Sequence, residues 1–126
     1  IAERHGYSVE VIDARWLVPF DYSLLLESVE KTGRLVCVSD ANLRGSWLNT
    51  VATKVSEEAF DSLDAPVCVV GARNWIAPPA ELEWEYFATS DDILDVVHER
   101  ILPLPGHTSS AGPLATGSLE ESAWGI

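Results

Sequence analysis

Two groups of residues have types and spacing that could bind something. The first is Asp40 with Arg44, Gly45 and Ser46. A helix starting after Ser46 presents unpaired backbone N–H groups, and Arg44 adds positive charge, so this loop could hold an anion or serve as an interface. The same residues also read as an ordinary turn with a helix N-cap. The second group is Glu81, Glu83, Trp84, Glu85, Asp91 and Asp92. Its dense negative charge, with Tyr86 and Phe87 interleaved, suits a surface that docks a basic partner. Glu81 and Glu85 would share one face if the stretch were helical. No nucleophile or base accompanies these acids, so no catalytic pair is assigned.

Other chemistry lacks its parts. His5, His98 and His107 are far apart in the chain, without ligand partners at metal-binding spacing. His98 reads as a surface or boundary residue beside Val97. Asp13 and Asp40 each follow a strand-like run. A phosphoacceptor site would also need a second acid and a lysine at a later strand end, where this chain has Arg73. Cys37 and Cys68 each lie inside an apolar run, the setting of buried free thiols. No glycine-rich phosphate fingerprint is present.

The elements that must position these residues alternate. Ile1 to Gly6 reads as the end of a helix with a glycine cap. Tyr7 to Ile12 is short and rich in β-formers and predicts a strand. Asp21 is the expected N-cap of a helix carrying Tyr22, Leu25, Leu26 and Val29 at helical spacing, closed by Gly33. Leu35 to Val38 is a continuous apolar run, as in a strand covered on both faces. Ser46 is placed to cap the next helix, whose apolar face is Leu48, Val51, Ala52, Val55 and Ala59. Val67 to Val70 predicts a third strand. Pro78-Pro79 marks an irregular crossing. Ser90 is the expected cap of a last helix, with Ile93, Val96, Val97 and Ile101 buried and Pro103 ending it. Such alternation predicts an α/β fold, three layers with a mainly parallel sheet. A helix tail with no strand before it suggests that the sheet's first strand lies upstream. Residues 1–103 are thus expected to form the domain. Residues 104–126, rich in Gly, Pro, Ser and Thr with Trp124 as the one large anchor, are expected to be a flexible tail.

The chain has 126 residues, about one domain, with 47% hydrophobic residues. Its 20 acidic against 8 basic residues give a net charge of −12. That surface repels nucleic acid and anionic membrane. No run is apolar enough to span a bilayer. The absence of Met and the helix-tail opening are read as a cut N-terminus. The free cysteines fit a cytoplasmic protein.

Several stretches together resemble a known family. Val9-Glu10-Val11-Ile12-Asp13-Ala14-Arg15, then Val18-Pro19-Phe20-Asp21, resembles the opening of the transketolase C-terminal domain. Ser28-Val29-Glu30-Lys31-Thr32-Gly33-Arg34-Leu35-Val36 is similar to its continuation. Glu57 to Val67, ending Leu63-Asp64-Ala65-Pro66-Val67, resembles the branch formed by beta subunits of the 2-oxoacid dehydrogenase decarboxylating component. Pro78, Leu82 and Glu83 fit the same branch. There are departures: Ser39-Asp40 stands where a Glu-Glu pair is common, and Gly45-Ser46 where a Gly-Gly pair is common. The resemblance implies a parent enzyme that uses thiamine diphosphate and Mg2+ to decarboxylate pyruvate or a branched-chain 2-oxoacid, passing the acyl group to lipoyl. It implies partners: an alpha subunit, a second beta subunit and the basic peripheral-subunit-binding domain of the acyltransferase. It also implies that the cofactor is held by other polypeptide, so this segment alone binds none and carries no catalytic residue. A stand-alone acidic binding module, or the same domain of a transketolase or deoxyxylulose-phosphate synthase, are the competing readings.

Overall fold

The computed structural model describes residues 2–110. A short helix, α1 (Ala2–His5), leads into extended chain, then α2 (Tyr22–Thr32), β1 (Val36–Asn42), α3 (Trp47–Glu58), β2 (Cys68–Ala72), α4 (Glu83–Tyr86) and α5 (Ser90–Val96). One π turn, Val97–Ile101, continues α5, and Leu102 N–H donates to Val97 O across it at 2.9 Å.

β1 and β2 run parallel, with Val36 opposite Cys68 and Val38 opposite Val70. Their register slips between Val38 and Asn42. Gly71 permits this close approach: a Cβ there would lie 2.6 Å from Ala41 O. Side chains alternate between the faces of the sheet. Cys37 on one face packs with Leu25, Val29, Val51, Val55 and Ala59 from the α2 and α3 side. Cys68 and Val70 on the other face pack with Val96 of α5. This is the expected three-layer α/β arrangement around a parallel sheet. Each fully buried valine contributes roughly 1.5–3 kcal/mol by leaving water.

The caps explain where the helices start and stop. Asp21 accepts from Ser23 N–H at 3.1 Å and Leu24 N–H at 3.4 Å, as the sequence predicts for α2. Gly33 ends that helix in the left-handed region at φ 68°. Its missing side chain also matters, because a Cβ would sit 2.6 Å from Asp64 Oδ2. Ser46 occupies the N-cap position of α3, yet its side chain makes no capping bond there. For α5 the cap is Thr89, one residue before the expected Ser90. Thr89 Oγ1 accepts from Asp92 N–H at 3.3 Å, and Asp92 Oδ2 accepts from Thr89 N–H at 2.6 Å. Threonine at the cap with a carboxylate at N3 makes a reciprocal capping box, which Ser90 could form only with Ile93.

Two further expectations are corrected. Tyr7 to Ile12 forms no strand, so the sheet has two strands among the described residues and not three. The segment instead runs beside α2, where Glu10 Oε2 accepts from Ser28 Oγ at 2.9 Å and lies 3.6 Å from Lys31 Nζ. β-forming residues become a strand only where a neighbour completes the ladder. The packed structure also runs on past Pro103: Leu104 is 1% exposed, and Ser110 is hydrogen-bonded to Asp95. The rest of the expected tail, including Trp124, lies outside the described residues.

Candidate functional site

The carboxyl ends of β1 and β2 gather most of the candidate residues. Asn42, the last residue of β1, donates from Nδ2 to Arg73 O and Trp75 O, both at 3.1 Å. Its Oδ1 accepts from Tyr86 Oη at 2.8 Å. Tyr86 is buried at 4% exposure and packs edge-on against Phe87 with centroids 4.9 Å apart. Arg73 follows β2 directly. Its Nε donates to Glu85 O at 2.6 Å, its N–H donates to Tyr86 O at 3.0 Å, and its guanidinium lies 5.1 Å from the Trp75 ring centre. These bonds fix α4 on the sheet edge as a short platform.

The acidic group sits on and beyond that platform. Glu81, Glu83 and Glu85 are exposed, and Trp84 is 71% exposed beside them. Glu81 belongs to a 3₁₀ turn, Ala80–Leu82, and Glu85 to α4. Leu82, at φ −113° and ψ 4°, breaks the helix between them. Glu81 and Glu85 therefore do not share one continuous helix face. Asp91 is exposed on the first turn of α5, where the helix dipole favours a carboxylate. Asp92 is occupied by the Thr89 capping box.

The loop after β1 lies across the same edge. Arg44 N–H donates to Asn74 Oδ1 at 2.7 Å. Gly45 turns the chain at φ 72°. Ser46 Oγ accepts from Asn49 Nδ2 at 3.2 Å, and Asn49 Nδ2 also donates to Leu43 O at 2.8 Å. Asn49 N–H already donates to Ser46 O at 3.1 Å. The start of α3 is thus partly closed by its own loop. Asp40 is exposed on β1.

Asn42, Arg73 and Tyr86 organise this edge; sequence reasoning passed over Asn42 and named Arg73 and Tyr86 without giving them that role. Their signal was weak, since each is a lone polar residue near a strand end or inside an aromatic run. Sequence reasoning also missed that the histidines meet. His107 Nε2 lies 2.5 Å from Asp95 Oδ1, and its ring centre lies 5.3 Å from His98 and 6.1 Å from His5.

Both thiols are buried. Burial, with a smaller effect from Cys68, pushes the Cys37 thiol up to about 11. Burial also raises Cys68, although Arg100 acts against it. The two are free and lie on opposite faces of the sheet.

Comparison with known proteins fits this architecture. Residues 1–93 match the model of the transketolase C-terminal domain. The chain belongs to the transketolase C-terminal domain family. Its curated relatives include the pyruvate dehydrogenase E1 component subunit beta of Leifsonia xyli subsp. xyli, 47% identical over 97 residues, covering 77% of this chain and 29% of the relative. The protein of the same name from Staphylococcus aureus is 38% identical over 99 residues, 79% of this chain and 30% of the relative. That of Staphylococcus epidermidis is 41% identical over 93 residues, 74% and 29% respectively. This transketolase-type domain therefore spans under a third of the length of the curated relatives it matches. Among the described residues, no helix is long and apolar enough to cross a membrane.

Proposed function

We propose that this domain is the C-terminal part of the beta subunit of a 2-oxoacid dehydrogenase decarboxylating component. In this reading the parent enzyme uses thiamine diphosphate and Mg2+ to decarboxylate a 2-oxoacid in the cytoplasm. The domain serves assembly with an alpha subunit and a second beta subunit. It also docks the basic peripheral-subunit-binding domain of the acyltransferase. The relatives' name supports the parent. The observation that carries the docking role is the platform itself. Glu81, Glu83 and Glu85 stand exposed around Trp84 on a turn and helix pinned by Arg73 and Asn42. Negative charge steers a basic partner, and an exposed aromatic offers it an apolar anchor.

Among the described residues, no three His, Cys, Asp or Glu side chains are grouped so as to hold a metal ion. No step of the decarboxylation is assigned to this domain, and the cofactor is placed on other parts of the parent enzyme. The anion reading has less support, because Arg44 N–H and Asn49 N–H are engaged within the loop.

The test is a titration of the 126-residue chain with a recombinant peripheral-subunit-binding domain at several salt concentrations. Replacing Glu81, Glu83 and Glu85 together by Gln is expected to weaken binding at least tenfold and flatten its salt dependence. Arg44→Ala is expected to leave it unchanged. Equal binding by the triple variant, or loss with Arg44→Ala, would overturn the docking role.

A further inference from the structure

We propose that His5, His98 and His107 form a proton-sensitive latch that fastens residues 102–110 to the body of the domain at neutral pH and releases them in mild acid. The observation is a convergence from three parts of the chain. α1 contributes His5, the π turn contributes His98, and the strap contributes His107. Around them the strap is held by bonds from both ends of the domain. Tyr7 Oη donates to Pro103 O at 3.2 Å, and the His5 Nδ1–H donates to Pro105 O at 2.9 Å. Asp95, 6% exposed on α5, takes His107 Nε2 on one oxygen and both Ser110 N–H and Ser110 Oγ on the other. Leu104 is the apolar plug beneath, at 1% exposure.

The decisive bond is the one to His98. Leu104 N–H lies 2.9 Å from His98 Nδ1, and a backbone N–H can only donate. His98 Nδ1 must therefore be the unprotonated, accepting nitrogen. An imidazolium has N–H at both positions and cannot accept, so a proton on His98 turns this bond into a repulsion between two donors. The strapped state binds the neutral form, and release takes up a proton. The latch is accordingly closed at higher pH and opened as pH falls.

His107 acts in the opposite sense, because its imidazolium pairs better with Asp95. One carboxylate can offset only one of three rings, however. Arg4 is exposed on α1 before His5, and Glu99 and Arg100 are exposed on the π turn after His98. Arg100 is also near enough to Cys68 to act on its thiol. When all three rings carry charge, His98 and His5 stand 5.3 Å and 6.1 Å from an imidazolium already using Asp95. At such separations inside a partly buried site the repulsion is little screened.

Hydrogen exchange read by mass spectrometry on the 126-residue chain tests this. Rates are corrected for the intrinsic effect of pH. Peptides covering residues 102–110 are expected to lose protection more than tenfold between pH 7.5 and 5.5, while those from α2 stay level. His98→Asn places an amide oxygen near the position of Nδ1 and cannot gain a proton, so it should abolish the pH response. If that variant is already unlatched at pH 7.5, His5→Gln decides. It removes one charge and leaves the bond to Leu104 intact, so it should shrink the loss of protection. A strap equally protected at both pH values, a response that survives in a latched His98→Asn, or one unchanged in His5→Gln, would each overturn the latch.

Discussion

The two faces of the sheet are held by different forces. On the α2 and α3 side, six buried residues make a continuous apolar core, with Phe20, Tyr22, Trp47 and Leu48 packed around it. Phe20 meets Tyr22 and Trp47 edge-on at 4.9 Å and 4.8 Å. On the α5 side, the buried cluster is Cys68, Val70 and Val96. A polar clasp adds to it, in which Asp95 gathers His107 and Ser110. Apolar burial is indifferent to pH, whereas a clasp of carboxylate and imidazole is not. The first face should therefore set the stability of the domain, and the second its response to conditions.

The largest effect should come from the apolar face. Leu25 is 5% exposed and packed in the first core. Leu25→Ala is expected to cost about 3 kcal/mol in urea unfolding, equally at pH 7.5 and 5.5, through lost transfer energy and a residual cavity. A loss below about 1 kcal/mol would show that α2 does not hold this face. Asp95→Asn should cost less, about 2 kcal/mol, by weakening charge-assisted bonds while keeping the shape. Its pH dependence has a fixed sign. Burial pushes the Asp95 carboxyl up, but hydrogen bonds from Ser110 and His107, with the charge of His107, outweigh burial and leave it below the usual range. A folded-state value below the unfolded one stabilises the protein above the unfolded value, about 3.9, and that contribution is lost as pH falls through the folded value. The gap between wild type and Asp95→Asn should be full at pH 7.5, narrow where the strap is released in mild acid, and close completely as the pH falls below about 4. A gap that widens in acid would reverse the assignment.

The first face was far more legible in the sequence than the second. Leu25 and Val29, or Val51 and Val55, declare themselves by helical spacing, and Asp21 and Gly33 declare the limits of α2. β1 and β2 were visible as apolar runs for the same reason: local pattern and tertiary role agree. Tyr7 to Ile12 failed because strand formation depends on a neighbour, which pattern cannot show. Asp95, His98 and His107 failed differently. Their meeting depends on the strap turning back after Leu102, and Pro103 reads as a stop. At the carboxyl edge, the acids were legible by charge density alone. Asn42 and Arg73, which decide how α4 is held, had no pattern to reveal them.

The smallest predicted effect separates structure from docking within the acidic group. Thr89 and Asp92 exchange bonds at the start of α5, the helix that carries Asp95 and leads into His98. Thr89→Ala removes the cap oxygen and should cost about 1 kcal/mol in urea unfolding. Asp92→Asn should cost a similar amount or less, because the amide keeps an acceptor for Thr89 N–H. Neither residue lies on the α4 platform, so both variants should bind the peripheral-subunit-binding domain within about twofold of wild type once folded, a shift under ~0.5 kcal/mol. Asp92 was grouped with Glu81, Glu83 and Glu85 by charge, but its carboxylate is already committed to the helix. Tenfold weaker binding by Asp92→Asn without loss of stability would return it to the docking surface and extend that surface from α4 onto α5.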